Sequence, residues 1–257
     1  MKKILSLLML IAPLFAGAQS LFEQADSAYT SDDYATAAQL YTQIAETDGT
    51  SAPLLYNLGN CFYRMGRNGM AILMYERALR IDPSLTEARE NLAFVNSRLT
   101  DRPGERGTFL GNLLDSTAGH YSSDFWAWTA VVFFILTIAG IVIYIFTSSI
   151  PLRKTGFFGG LASIIICGVA VFFAFRSASA ATDTEQAVIL VPSTILSTAP
   201  RIPADRSLEA MLLHEGTRVE ILDSVRNPAD TVAPLWLDVQ VDNTHRAWIN
   251  ARDVERI

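Results

Sequence analysis

The sequence predicts a multi-domain membrane protein: an all-α helical array, two transmembrane helices and a small all-β domain. Three observations predict it. Two long uncharged stretches, 125–146 and 157–175, interrupt an otherwise polar chain. A 34-residue spacing of small and aromatic residues recurs before them. After them the apolar period changes from about 3.6 to 2.

The chain has 257 residues, half of them hydrophobic, and a formal net charge of −6. That length suffices for two modest domains plus membrane segments. The N-terminus, "MKKILSLLMLIAPLFAGAQS", combines Lys2 and Lys3, an apolar run from Ile4 to Phe15 and the small-residue signal Ala16-Gly17-Ala18. Its apolar run is shorter than the roughly 20 residues a bilayer requires. Residues 1–18 therefore read as a secretory signal peptide cut after Ala18. Export permits disulfides, but Cys61 lies in a soluble helical segment and Cys167 in an apolar one. No disulfide framework is expected.

"FWAWTAVVFFILTIAGIVIYIF", 125–146, is long enough to cross the roughly 30 Å hydrocarbon layer at about 1.5 Å per residue. "FFGGLASIIICGVAVFFAF", 157–175, is the second expected span. Trp126 and Trp128 stand at the first boundary, where amphipathic rings favour the headgroup level. Charge sets the orientation. If residues 19–124 are exported, the loop 147–156 with Arg153 and Lys154 is cytoplasmic, as positive-inside topology requires. The three lysines of the chain, Lys2, Lys3 and Lys154, all fall where this topology needs cytoplasmic positive charge. A loop this short excludes a cytoplasmic catalytic domain.

Residues 19–102 form the first exported domain. In "APLLYNLGNCFYRMGRNGMAILMYERALRIDPS", Leu55, Leu58, Gly59, Phe62, Ala71, Tyr75, Ala78 and Pro83 fall at the spacing of a helix-turn-helix repeat. Thirty-four positions earlier, Ala25, Tyr29, Ala37 and Tyr41 match Gly59, Tyr63, Ala71 and Tyr75. "TEARENLAFVNSRL" supplies a partial third copy, with Leu92 and Ala93 at the positions of Leu58 and Gly59. The pattern resembles tetratricopeptide repeats. About five stacked helices leave a concave groove, and the first helix of each repeat should line it, at Tyr56, Asn57, Asn60, Tyr63 and Arg64. Glu23 and Asp26 fall at equivalent first-repeat positions. The groove lacks the lysines that clamp a terminal carboxylate in such domains, which argues against an anionic peptide terminus as ligand. Asn57 and Asn60 read equally well as common helix-face residues of the repeat.

Residues 103–124 link this domain to the membrane. Phe109, Leu110, Leu113 and Leu114 suit one face of a helix lying on the bilayer surface, or a packed linker. A polar tether, 176–185, follows the second span. In 186–257, "LWLDVQV" alternates as a half-buried strand, with Leu235, Leu237, Val239 and Val241 on one side. Val219 and Ile221 share a face of another strand. Pro192, Pro200, Pro203, Asn227 and Pro228 punctuate the turns. "AVILVPSTILSTAP", "LHEGTRVEIL", "WLDVQV" and "AWINARDVERI" resemble bacterial SH3-like domains, which implies a small barrel. Gly216 marks the turn entering a central strand. Trp236 and Trp248 occupy that family's characteristic tryptophan places, either as a ligand face or as barrel core. The arginine expected on the first strand is missing, since Ser193-Thr194-Ile195-Leu196 stands there.

No active site is legible. Cys61 reads as a small core hydrophobe, and His120, His214 and His245 lack metal-ligand spacing. Asp32-Asp33 sits in a turn where solvated acids are expected, and no glycine-rich phosphate loop is present. No catalytic residues, cofactor or metal are expected. Acidic exported domains argue against nucleic acid.

The order of modules resembles the BatE-type proteins of the Bacteroides aerotolerance operon. "FEQADSAY", "DYATAAQLYTQI", "LLYNLGNCFYRMGRNGMAILMYERALRIDP", "FWAW" and "LHEGTRVEIL" carry the resemblance. It implies a bacterial inner membrane and a non-catalytic scaffold in an envelope stress complex. Its neighbours would be von Willebrand A-domain membrane proteins and, indirectly, a MoxR-type ATPase. The alternative is a cell-wall-binding module whose SH3-like domain contacts peptidoglycan.

Overall fold

The computed structural model describes residues 21–102, 107–226 and 235–257. The expected signal peptide, 1–18, and the turn markers Asn227 and Pro228 lie outside the described residues. Two compact units result. Of the described residues, one unites 21–81, 85–102, 184–226 and 235–257; the other holds Gly107–Asp183 and the turn Asp82–Ser84.

In the first unit five helices form the array: α1 (21–30), α2 (Tyr34–Asp48), α3 (Ala52–Arg64), α4 (Asn68–Ile81) and α5 (Thr86–Asn96). Side chains start two of them. Asp33 accepts from the Thr36 N–H at the head of α2, and Ser51 accepts from the Leu54 N–H at the head of α3. The Thr36 hydrogen bonds hold the Asp33 carboxyl below its ordinary value. The repeat residues behave as their spacing requires: Ala25, Ala37, Tyr41, Leu58, Ala71, Tyr75 and Ala78 are buried in one core. Ala93, aligned with buried Gly59, is exposed. Gly59 lies beneath the Tyr75 ring of the following helix.

The C-terminal segment folds into β1 (Gln186–Ile189), β2 (Ser193–Ser197), β3 (Glu209–His214), β4 (Arg218–Arg226), β5 (Leu235–Gln240), β6 (Arg246–Asn250) and β7 (Val254–Arg256). They make one sheet in the order β3-β2-β6-β5-β4-β1-β7, with each neighbouring pair antiparallel. This corrects the expected barrel, because the sheet does not close. Among the described residues β7 pairs with β1 only and β3 with β2 only, while β2 and β6 meet through the single pair Ser197–Trp248. The alternation expected of β5 also fails: Trp236, Leu237, Asp238 and Val239 are all buried. β5 lies between β4 and β6, covered on both faces, and buried Asp238 accepts two hydrogen bonds from Arg246 Nε at 2.9 and 3.1 Å. That carboxylate holds the Arg246 guanidinium above its ordinary value.

The β1–β7 end of the sheet packs on the helical array instead of closing the barrel. Val188 belongs to the array's buried core, and Leu99, Leu190 and Ile257 pack against it. From α4, Arg77 donates to the Arg256 carbonyl at 2.7 Å and pairs with Glu255 at 2.7 Å, and Glu76 pairs with Arg218 at 2.6 Å. Arg80 donates to the Ile257 carbonyl. Helix side chains thus satisfy edge-strand carbonyls that a closed barrel would pair with another strand. The turn between β3 and β4 is pinned by Asp101, which follows the last array helix. Its carboxylate accepts from the His214 N–H at 2.5 Å and the Thr217 hydroxyl at 2.7 Å, and meets the His214 ring Nδ1 at 2.8 Å. Burial pushes the Asp101 pKa up, but the hydrogen bonds from His214 and Thr217 outweigh it and hold the carboxyl below its ordinary value. Within this turn Gly216 has φ +86°, and a Cβ there would approach Leu99 to 2.6 Å and Ile72 to 2.9 Å. Both the backbone conformation and the contact call for glycine.

The second unit contains α6 (Phe109–Ala118), α7 (Ser123–Phe146) and α8 (Ile150–Thr182). α7 and α8 are long and apolar enough to cross a membrane. They pack through small residues. A Cβ at Gly140 would fall 2.8 Å from the Gly156 carbonyl, and one at Gly156 would fall 2.7 Å from the Gly140 carbonyl. Such close backbone approach is how helices associate where water supplies no hydrophobic drive. Their other faces expose Phe134, Ile135, Ile164 and Ile165, unlike the core helices of a soluble fold. Arg153 and Lys154 lie within the first turns of α8, and only 147–149 connect the two helices. The expected tether is likewise helical as far as Thr182. Arg176, beyond the uncharged stretch, pairs with Asp115 of α6 at 2.7 Å. Phe109, Leu110 and Leu113 of α6 are exposed and Leu114 half-buried, so the first three do not pack as a linker core.

Asp101→Asn tests the docking of sheet on array. It weakens the acceptor shared by the half-buried His214 N–H and the buried Thr217 hydroxyl, so the unfolding free energy should fall by about 1–3 kcal/mol, read by denaturant unfolding in detergent. The sign with pH follows from the depressed carboxyl. Its contribution is complete above the ordinary value of 3.8 and is lost as pH falls through the lower folded value. The variant should lack that part of the acid sensitivity, and equal stability at neutral pH would contradict the role assigned to Asp101.

Candidate functional site

The first helices of the repeats, α1, α3 and α5, contribute Tyr29; Tyr56, Asn60, Tyr63 and Arg64; and Glu90, Asn91, Phe94 and Val95 to one concave cavity of about 530 Å³, with Tyr75 of α4 behind them. Four of the five expected groove residues therefore meet there. Asn57 is half-buried and does not line the cavity.

A repeated hydrogen bond builds the floor. The buried Tyr75 hydroxyl donates to Asn60 Oδ1 at 2.7 Å, and one repeat earlier the Tyr41 hydroxyl donates to Asp26 Oδ1 at 2.8 Å. Asn60 Oδ1 also accepts from Asn91 Nδ2 at 2.9 Å, which ties α3 to α5. Asn60 and Asp26 thus hold neighbouring helices in register, and Asn60 also lines the cavity whereas Asp26 does not. Burial pushes both phenols up, helped at Tyr41 by the adjacent Asp26 carboxylate, so both remain donors.

The rim is aromatic, its arginines are engaged, and Glu90 adds an exposed carboxylate to the lining. Tyr63 meets Phe94 edge-to-face at 5.8 Å between centroids, and the Arg98 guanidinium lies 4.0 Å above the Phe94 ring. Arg64 lies 4.3 Å over the Tyr34 ring and 3.2 Å from Asp32. Asp32, expected as a solvated turn acid, adopts φ 62° and also accepts from the Tyr34 hydroxyl. The cavity thus offers aromatic faces and neutral hydrogen-bonding groups rather than an isolated cation.

Glu90, Asn91 and Phe94 were not among the expected residues. The repeat itself contains the signal, since adding 34 to Tyr56, Asn57 and Asn60 gives these three positions.

The nucleophile and histidine candidates sit elsewhere. Cys61 is fully buried, and burial pushes its thiol up to about 11, so it is a weak nucleophile at neutral pH. His214 is the partner of Asp101, and His245 meets Asp242 at 2.8 Å. Hydrogen bonds from Thr244 and His245 hold the Asp242 carboxyl far below the usual range. Among the described residues no three His, Cys, Asp or Glu side chains converge as a metal site. Of the two sheet tryptophans, Trp236 is buried and lines a cavity in the sheet, whereas Trp248 is half-buried and does not.

A helical-repeat protein with a concave aromatic groove is the class that fold and site define. Residues 52–85 match the tetratricopeptide repeat; they comprise α3, α4 and the turn to Leu85, the unit whose Tyr75–Asn60 bond builds the groove floor. Such repeats present concave surfaces to protein partners. Comparison of the whole chain with curated proteins gives no match.

Tyr75→Phe and Tyr41→Phe each remove one repeat-internal hydrogen bond while keeping the ring. Each should lower stability by about 0.5–1.5 kcal/mol, with faster amide exchange in the helices bridged. Unchanged exchange in both variants would show that these bonds do not hold the groove.

Proposed function

We propose that this protein is a non-catalytic, membrane-anchored scaffold whose helical array holds a segment of a protein partner. The observation that carries the proposal is the aromatic cavity assembled from α1, α3 and α5 in one rigid hydrogen-bonded frame. Aromatic anchors with neutral donors and acceptors suit an extended or helical protein segment inserting apolar side chains. The raised, buried Cys61 thiol supports a binding role over a catalytic one.

Topology supports the anchoring. The array and the sheet share a core although residues 107–183 separate them in sequence. Two spans by the intervening chain would let it leave and return to the same side of a membrane, in keeping with that shared core. Together with the Lys2, Lys3 and Lys154 distribution, this favours array and sheet in the periplasm, with the 147–149 connection at the cytoplasmic face of an inner membrane. The module order, similar to BatE-type proteins, favours partners within an envelope stress complex. Von Willebrand A-domain membrane proteins fit that role, with a MoxR-type ATPase acting indirectly.

Photo-crosslinking in intact cells tests the groove. A photoreactive residue replacing Phe94, on the cavity rim and partly exposed, should give a discrete protein adduct. One replacing Gln43, exposed on α2 and outside the cavity, should not. The same adducts from both positions, or none from Phe94 in a folded and inserted chain, would remove the groove as the binding site.

A further inference from the structure

A second cavity, of about 570 Å³, lies in the sheet and is independent of the groove. Trp236 and Asn250 stand directly opposite one another on β5 and β6, and both line it. Trp236 is 3% exposed and Asn250 9%. Neither the indole Nε1 nor the amide Nδ2 has a hydrogen-bond partner among the described residues. The amide is not free to turn its oxygen inward, because Asn250 Oδ1 accepts from the Arg252 N–H at 3.0 Å. Asp253, a nearby carboxylate in the lining, already accepts from the Thr194 hydroxyl at 2.6 Å.

Two adjacent buried donors without acceptors are costly, and native proteins carry few of them. A buried tryptophan ordinarily finds a partner for its N–H. Both residues line one cavity whose size falls in the range of about 300–1,000 Å³ typical of ligand clefts. The outer wall has the opposite character. Ile195 and Leu212, a cross-strand pair on β2 and β3, are 45% and 53% exposed, and Ile202 adjoins them. Arg252 and, with the opposite charge, Glu209 also contribute to the lining. The ligand that satisfies both features carries an oxygen acceptor next to an aliphatic group.

We propose that this cleft binds a short peptide segment through one residue with an aliphatic side chain. Its carbonyl or carboxylate oxygen accepts from Trp236 Nε1 and Asn250 Nδ2, and its side chain lies against Ile195 and Leu212. The docked sheet would then hold a second peptide ligand separately from the array.

The test uses the full chain in detergent micelles with ¹⁵N-labelled tryptophan. Replacing Trp126, Trp128 and Trp248 in turn by Phe assigns the indole signal of Trp236 without altering it. The probes are N-acetyl-leucine and its uncharged methylamide. The Trp236 signal should move selectively and saturably. Movement with both probes means that a main-chain carbonyl suffices; movement with the acid alone assigns a terminal carboxylate, and either result supports the site. Asn250→Asp, which keeps the acceptor for Arg252 N–H and removes the donor, should weaken the response by about tenfold, one hydrogen bond's worth. Leu212→Glu, at an exposed wall position, should weaken the methylamide response without affecting the fold. A Trp236 signal unmoved by either probe, or moved equally in both variants, would overturn the proposal.

Discussion

The packing of the β1–β7 end of the sheet on α4 is the constraint on which the rest of the structure depends. It brings together two segments that lie on either side of a membrane-length hairpin. Apolar burial of Val188, Leu190, Leu99 and Ile257 supplies the non-directional attraction. Asp101, Glu76 and Arg77 supply direction, since each satisfies a specific donor or acceptor across the contact. Glycine at 216 is needed because the β3–β4 turn reaches the array side chains themselves. The open sheet follows from the same contact. Its outer carbonyls at Arg256 and Ile257 are satisfied by arginines of a helix, and closure into a barrel is unnecessary.

The groove floor and the docking of the sheet meet on one helix. α4 turns Glu76 and Arg77 toward the sheet and Tyr75 toward Asn60. Docking and groove floor thus share neighbouring residues on one helix. The hairpin obeys different physics. Its helices hold together through Gly140, Gly156 and Gly160 and expose large apolar side chains outward, an arrangement suited to lipid and unfavourable in water. Exposed Phe109, Leu110 and Leu113 continue that apolar character onto α6.

Much of this was legible in the chain because it is periodic. The 34-residue spacing located the array, its buried alanines and tyrosines, and four groove residues. Charge-free length located the two membrane-length helices, and the change to a period of 2 located the strands. What stayed illegible depends on contacts between distant segments. Nothing near Asp101 announces that it caps a turn at Thr217, and the open sheet depends on a helix more than a hundred residues earlier. Trp236 illustrates the mixed case. Its position marked it as notable, but its buried, unpartnered indole beside Asn250 emerges only from strand register. Arg153 and Lys154 were expected in a loop and lie in a helix, because Pro151 near the start of α8 suits a first helical turn.

In the proposed topology the shared core puts array and sheet on one side of a membrane, and labelling from that side tests this most directly. Cys61 and Cys167 would be replaced by alanine, and single cysteines placed at Gln43 in the array, Asp205 in the sheet segment and Leu152 near the helix connection, all exposed. A membrane-impermeant maleimide applied to spheroplasts should label positions 43 and 205 alike and spare position 152 until the membrane is opened. Labelling of 43 and 205 from opposite sides would contradict the shared core and the anchored scaffold built on it.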